Sequence, residues 1–156
     1  MDLAYGDYRV QAVYGHCDGA LCQELVDFWI RAGAIRDRGA AWRRTREVVL
    51  TIRNPAGDLV GVCSAGLVSF TKDRRYYYYR MFIRHGDRVY GMMRFVTAAA
   101  RDYLRDLEVP DKPRGMIIEA ENPKLMRQRT IRELGRMGFE LVGKSKRGLA
   151  IFKLDF

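Results

Sequence analysis

A chain of 156 residues, nearly half of them apolar and only four of them proline, has the length of one domain, can bury a proper core and is too apolar to be disordered. Its formal charge of +9 draws acidic partners such as nucleic acid, a phosphorylated cofactor or an anionic surface, and fits equally a basic protein with no polyanion partner. Cys17, Cys22 and Cys63 lack the paired spacing of a metal site, and no run forms a signal peptide or reaches the ~18 apolar residues of a membrane span, so a reduced cytoplasmic protein without metal or membrane partner is expected.

In chain order, Tyr8 to Tyr14 alternates as a first strand that Gly15 closes. Asp18 is placed to cap a helix from about Gly19 to Ala32, with Leu21, Leu25, Phe28 and Trp29 as its apolar stripe, and Gly33 stops it. Arg36, Arg38, Arg43, Arg44 and Arg46 then surround Trp42, on either a short helix or a loop; they read as a solvated face or as an arm over a substrate. Glu47 to Arg53 is a strand, residues 54–58 a turn, and Leu59 to Phe70 a longer strand. Residues 72–75 turn into a tyrosine-rich strand from Tyr76 to Ile83. Tyr77 and Tyr79 share one face of that strand, Tyr76 and Tyr78 the other; such tyrosines serve as core or pocket wall.

From Val89, apolar residues at steps of three and four (Met92, Met93, Val96, Ala100, Tyr103, Leu104, Leu107) mark a long helix. Pro110 and Pro113 bound a linker to a short buried strand, Gly115 to Glu119. Asn122-Pro123 opens a helix that runs through Arg136 and ends at Gly138. Phe139 to Lys144 and Leu149 to Phe156 pair across residues 145–148 as a closing hairpin. The order is βααβββαβαββ: one mixed α/β domain over residues 1–156, with a mostly antiparallel sheet flanked by helices.

Between the tyrosine strand and the long helix lies a basic turn, Arg84-His85-Gly86-Asp87-Arg88, with Gly91 following. A strand that feeds a helix through such a turn aims unpaired N–H groups and the positive end of the helix dipole at one point, where phosphate binds. Arg84 and Arg88 add charge there, and Gly91 is read as allowing close approach.

The strand order, with Ile83 at the strand end and Arg88-Val89-Tyr90-Gly91-Met92-Met93 in the turn, resembles the GNAT superfamily of acyl-CoA-dependent N-acyltransferases. The family's cofactor signature is an apolar strand end, then Arg or Gln, two residues, Gly, one residue, and Gly or Ala. Arg88 and Gly91 match it; Met93 replaces the last small residue, and His85 stands where a proline is common. Glu121-Asn122-Pro123 and Met137-Gly138-Phe139 resemble the family's Glu-Asn and Gly-Phe ending, so that the likeness spans essentially the whole chain. It implies acetyl-CoA or another acyl-CoA as cofactor. The pyrophosphate would rest on the amides of Arg88, Val89, Tyr90, Gly91, Met92 and Met93, and the pantetheine arm along Met81, Phe82, Ile83 and Asn122.

Acyl transfer to an amine needs a base, often through water, stabilisation of an oxyanion, and a proton for the leaving thiolate. The family's usual Glu on the central strand and Tyr before Gly-Phe correspond here to Tyr79 and Leu134. Glu119 and Glu121, two apart and on one side of an extended segment, are candidate bases, though a Glu beside a cap is more often a solvated or capping carboxylate. Tyr79 is a third candidate for proton transfer, against a core role. An amine of low pKa would need no base, since proximity then carries the rate.

The leading expectation is an acetyl-CoA-dependent N-acetyltransferase for a primary amine. The arginine surplus favours an acceptor on an acidic carrier, such as an amino-modified base or aminoacyl-tRNA. Arg36, Arg38, Trp42 and Arg43 would bind it, with Tyr77 as pocket wall. The alternatives are a small-molecule or peptide amine, and a non-catalytic module of the same fold that binds acyl-CoA or nucleic acid. A monomer or homodimer is expected.

Overall fold

The computed structural model describes residues 1–156. The chain forms two compact units, one of Met1–Gly66 with Arg80–Val96 and the other of Leu67–Tyr79 with Thr97–Phe156.

In the first unit, β1 (Asp2–Tyr5) and β2 (Tyr8–Ala12) form an antiparallel hairpin around Gly6-Asp7, with Gly6 at φ +58. β1 is an element the sequence reading omitted. Helix α1 (Gly19–Arg31) starts where Asp18 accepts the Leu21 N–H at 2.8 Å. Its Leu25, Val26, Phe28 and Trp29 are buried against Val48, Leu59 and Val62, burial that stabilises by roughly 1.5–3 kcal/mol for each large side chain. α2 (Arg38–Arg44) is a short helix capped by Asp37, which accepts from the Ala40 amide. β3 (Val48–Arg53) pairs with β2, and Arg53 grips both carboxylate oxygens of Glu24 on α1 at 2.6 and 2.8 Å. That bidentate bond holds the Glu24 carboxyl below its usual range. Cys17 and Cys22 bring their sulfurs to 2.8 Å, while Cys63 is buried.

β4 (Leu59–Thr71) and β5 (Arg74–Ile83) pass through both units. After Ile83 the chain makes a single helical turn over His85–Asp87, and α3 (Met92–Asp106) begins later than its apolar spacing predicts. The reason is Gly91, whose φ of +79 lies outside the helical region and excludes Val89 and Tyr90 from the helix.

In the second unit, β6 (Gly115–Glu119) runs parallel to β5 at Tyr77 and Tyr78 and antiparallel to β8 (Ala150–Asp155), with β7 (Glu140–Lys144) beyond. Gly115 is obligatory, because a Cβ there would fall 1.8 Å from the Leu154 carbonyl oxygen. The predicted helix from Asn122 is in fact two pieces. Pro123–Met126 form a 3-10 turn capped by Asn122, Arg127 is extended, and α4 runs from Gln128 to Arg136. No residue from Glu121 to Arg129 is buried, so no packed face holds that first turn in α register. The strand order is β1-β2-β3-β4-β5-β6-β8-β7, with β5 parallel to β6 and the pairs β1–β2, β2–β3, β3–β4, β6–β8 and β7–β8 antiparallel. The α/β class with a mostly antiparallel sheet is borne out, with one strand more than expected. No helix is long and apolar enough to cross a membrane.

Candidate active site

In the first unit the turn between β5 and α3 is built around one buried carboxylate. Asp87 accepts from Tyr8 Oη at 2.9 Å and from Arg84 Nε at 2.7 Å. The bond to Asp87 pushes the Tyr8 phenol up. The charge that Arg84 was expected to add for phosphate is therefore tied to Asp87 within the turn. Arg88 donates from Nε to the Ile83 carbonyl at 2.9 Å and lies over the Phe82 ring, which itself packs on Phe28 of α1. A second tyrosine of the terminal hairpin, Tyr5, donates to the Tyr90 carbonyl at 2.6 Å and packs on Phe95. Neither Tyr5 nor Tyr8 was singled out in the sequence. Their signal was the Gly-Asp pair between Leu3-Ala4-Tyr5 and Tyr8-Arg9-Val10, the mark of a two-residue hairpin.

Of the six amides expected to cradle phosphate, two are consumed internally. Val89 N–H bonds to Asp87 O at 3.0 Å and Met92 N–H to Val89 O at 3.1 Å. The amides of Arg88, Gly91 and Met93, with Arg94 one step on, donate to no backbone carbonyl. Val89, Tyr90 and Met93 are exposed around them, whereas the Met92 side chain is fully buried. The role assigned to Gly91 also changes. A Cβ there would meet Tyr5 Oη at 2.4 Å, so the glycine makes room for tyrosine as well as supplying the positive φ.

Two expectations are corrected, both on the tyrosine strand. Tyr77 is 1% exposed with its ring beside Phe156, which makes it core and not a pocket wall. Tyr79 is 4% exposed and its hydroxyl lies 3.3 Å from Thr97 Oγ1, closed off from a reacting amine. Among the arginines around Trp42, Arg38 is paired with Asp27 at 2.9 Å and Arg43 with Asp37 at 3.9 Å. Arg36, Arg46 and Trp42 itself are exposed.

In the second unit, Glu119 and Glu121 are brought together as the two-residue spacing implied. Tyr78 Oη lies 2.8 Å from Glu119 Oε1 and 3.2 Å from Glu121 Oε1, and Arg147 bonds to both carboxylates. The Arg147 guanidinium, helped by Ser145 and Tyr78, holds the Glu119 carboxyl down at about 2. At neutral pH Glu119 is an anionic anchor, not a proton acceptor. Asn122 turns its side-chain oxygen to the Lys124 amide at 3.0 Å. Met81, Phe82 and Ile83 form the last turn-ward stretch of β5, beyond its ladder with β6.

No protein-family model and no curated protein matches the sequence. Solved structures do match in fold. The ribosomal-protein-S5-alanine acetyltransferase of Vibrio fischeri aligns over 99% of this chain and 96% of its own, at 9% identity and a TM-score of 0.67. A GNAT-family acetyltransferase of Listeria monocytogenes aligns over 100% of both chains at 14% identity and 0.64. The proposed acetyltransferase yncA of Salmonella typhimurium, solved with its cofactor acetyl-CoA, aligns over 96% of this chain and 94% of its own at 19% identity and 0.63. With these structures matching from end to end, the chain has the fold of the GNAT acetyltransferases.

Proposed function

We propose that the protein is an acetyl-CoA-dependent N-acetyltransferase acting on a primary amine, a single cytoplasmic acyltransferase domain over its 156 residues. The observation that carries this reading is the set of amides at Gly91, Met93 and Arg94 without backbone acceptors. They stand at the start of a 15-residue helix, in the fold of proteins one of which was solved with acetyl-CoA. Amides so left need an acceptor, and a diphosphate supplies several oxygens at once. In this reading Arg88, Gly91 and Met93 hold the pyrophosphate, and the exposed Val89, Tyr90 and Met93 side chains flank it. The resemblance assigns the pantetheine arm to the backbone of Met81, Phe82 and Ile83 and to Asn122. Bound acetyl-CoA supplies the activated acyl group; the chain orients it and manages the protons. In this reading half-exposed Glu121 accepts a proton through water, and Glu119 takes that role only when Arg147 is drawn away.

The test is twofold. Acetyl-CoA should raise the melting temperature, since a ligand that binds only the native state stabilises it. Free CoA should then appear when a panel of amines is added. A raised melting temperature with no CoA release for any amine would favour a non-catalytic binding module.

A second reading concerns the acceptor. The exposed indole of Trp42, 41% accessible among Arg36, Arg43 and Arg46, suits a base stacked beside a phosphate backbone. An amine on nucleic acid would then lose affinity steeply as salt rises, while a flat salt response leaves a small-molecule or peptide amine. Two of the similar structures are named as acetyltransferases of ribosomal proteins, which keeps a protein amine in that panel.

A further inference from the structure

A cavity of about 390 Å³ opens on the second unit. Phe70, Ile117 and Val142 give it an apolar wall, and Tyr78, Glu119 and Lys144 a polar edge. Its volume is in the range of small-molecule sites, and its mix of apolar wall and few polar groups is what such sites share. The Glu119 side chain is only 9% exposed, with Glu121 beside it and the Tyr78 hydroxyl between them.

Two carboxylates held this close repel unless a cation lies between them. The chain supplies one from the turn that joins β7 to β8. Arg147, carried between Ser145 and Gly148, sets its Nη2 against both carboxylates while its side chain stays 57% exposed. A long side chain on an exposed turn forms an ion pair of modest net worth, which another cation can replace.

We propose that Arg147 holds the place of the acceptor's ammonium: an arylalkyl primary amine enters this cavity, its ammonium replaces the Arg147 guanidinium between Glu119 and Glu121, and its ring lies on the wall of Phe70, Ile117 and Val142. The proposal deepens the acetyltransferase reading and rests on it only for the chemistry, not for the binding.

The exchange also prepares the base. Glu119 faces Tyr78 from β5, Glu121 from its own segment, and Ser145 and Arg147 from the β7–β8 turn, with Lys144 and Lys146 lining the same cavity. The ammonium that replaces Arg147 still faces both carboxylates, but unlike a guanidinium it has a proton it can give up. One carboxylate of the pair then takes a proton from the ammonium. The freed nitrogen bonds to the acyl carbon of the thioester, the C–S bond breaks with its electron pair going to sulfur, and the nitrogen's second proton goes to the leaving thiolate. The products are the N-acetylamine and free CoA.

Calorimetric titration of the full chain with 2-phenylethylamine, without acetyl-CoA, tests the binding directly. Arg147→Gln should bind this probe about fivefold more tightly than the unaltered chain, the scale of a half-exposed ion pair that no longer has to be broken. Arg147→Lys, which keeps the competing cation, should stay near the unaltered affinity. The double variant Glu119→Gln, Glu121→Gln should lose the probe. An affinity for 2-phenylethylamine that is unchanged or weaker in Arg147→Gln overturns the proposal. So does a chain that prefers phenylacetate and loses it in Arg147→Gln, because Arg147 would then be a binder of anions. If the amine series behaves as expected while acetyl-CoA leaves the melting temperature unchanged, the amine site stands and the transferase reading falls.

Discussion

The phenol of Tyr5 donates to the carbonyl of Tyr90 at 2.6 Å, joining residues 85 positions apart. This bond fixes the last peptide before Gly91 and so sets the direction of the amides that follow. Tyr5→Phe keeps the ring contact with Phe95 and removes only the hydrogen bond. Stability should fall by about 1 kcal/mol, the net worth of one such bond. Acetyl-CoA affinity should fall by more than stability alone accounts for, as the turn is no longer held in the binding geometry. Calorimetry on the two proteins reads both quantities, and an affinity untouched by Tyr5→Phe would separate the hairpin from the cradle.

Gly91 and Tyr5 form a pair whose coupling can be measured. In Gly91→Ala the new methyl meets Tyr5 Oη at 2.4 Å, and the residue keeps a φ of +79. The positive φ costs on the order of 1 kcal/mol whatever surrounds it, and the collision adds about 1–3 kcal/mol more. Without the hydroxyl, the nearest Tyr5 atom is Cζ at 3.5 Å, an ordinary contact. Gly91→Ala should thus be milder in the Tyr5→Phe background than alone, with the shortfall appearing as interaction energy in a double-mutant cycle. Strict additivity would mean that φ alone explains the glycine.

Much of this was legible in the sequence, for identifiable reasons. Periodicity found α1, because its buried residues recur on one stripe, and placed β6 from Gly115 to Glu119 without error. What periodicity could not register was backbone conformation and long-range bonding. Val89 keeps the helical spacing of α3 yet stands outside it, because a left-handed glycine intervenes. Asp87 reads as one charge in a basic turn, and its role depends on Tyr8, which lies 79 residues away. The tyrosine run was seen as two alternating faces, but Tyr76, Tyr77 and Tyr79 are all buried, so burial did not distinguish the faces. The pairing of Glu119 with Glu121 did follow from spacing; the arginine that holds them lies on another element and had no local signal.

Asp87 is the second anchor of the turn. Asp87→Ala leaves the Tyr8 hydroxyl and the Arg84 guanidinium without their acceptor and should cost about 2–3 kcal/mol, since bonds to a charged group are the stronger kind. Tyr8→Phe, which removes one bond and no charge, should cost about 1 kcal/mol. Urea unfolding of the two variants checks the ratio. Equal costs would show that the Arg84 contact contributes nothing to stability.

The charge arrangement around Glu119 makes a prediction about acid. Its carboxyl is lowered from an ordinary 4.5 to about 2 by the Arg147 guanidinium first, then by Ser145 and Tyr78 against the opposing effect of burial. A carboxyl depressed in the folded state stabilises that state fully above the unfolded value and loses the contribution as pH falls through the folded one. The loss should therefore run from about pH 4.5 down to about 2. Asp155, lowered mainly by its bond from Tyr76, and Glu24, lowered by Arg53, add to the same acid limb. Glu119→Gln removes one of these titrations while leaving the other two. Its stability should decline less steeply with falling pH than that of the unaltered chain, and the two curves should converge toward the acid end. Urea midpoints taken at intervals from pH 6 to pH 3 read the slopes. Parallel curves across that range would mean that Arg147 does not hold Glu119 in the folded protein, and would remove the pairing on which the amine site is built.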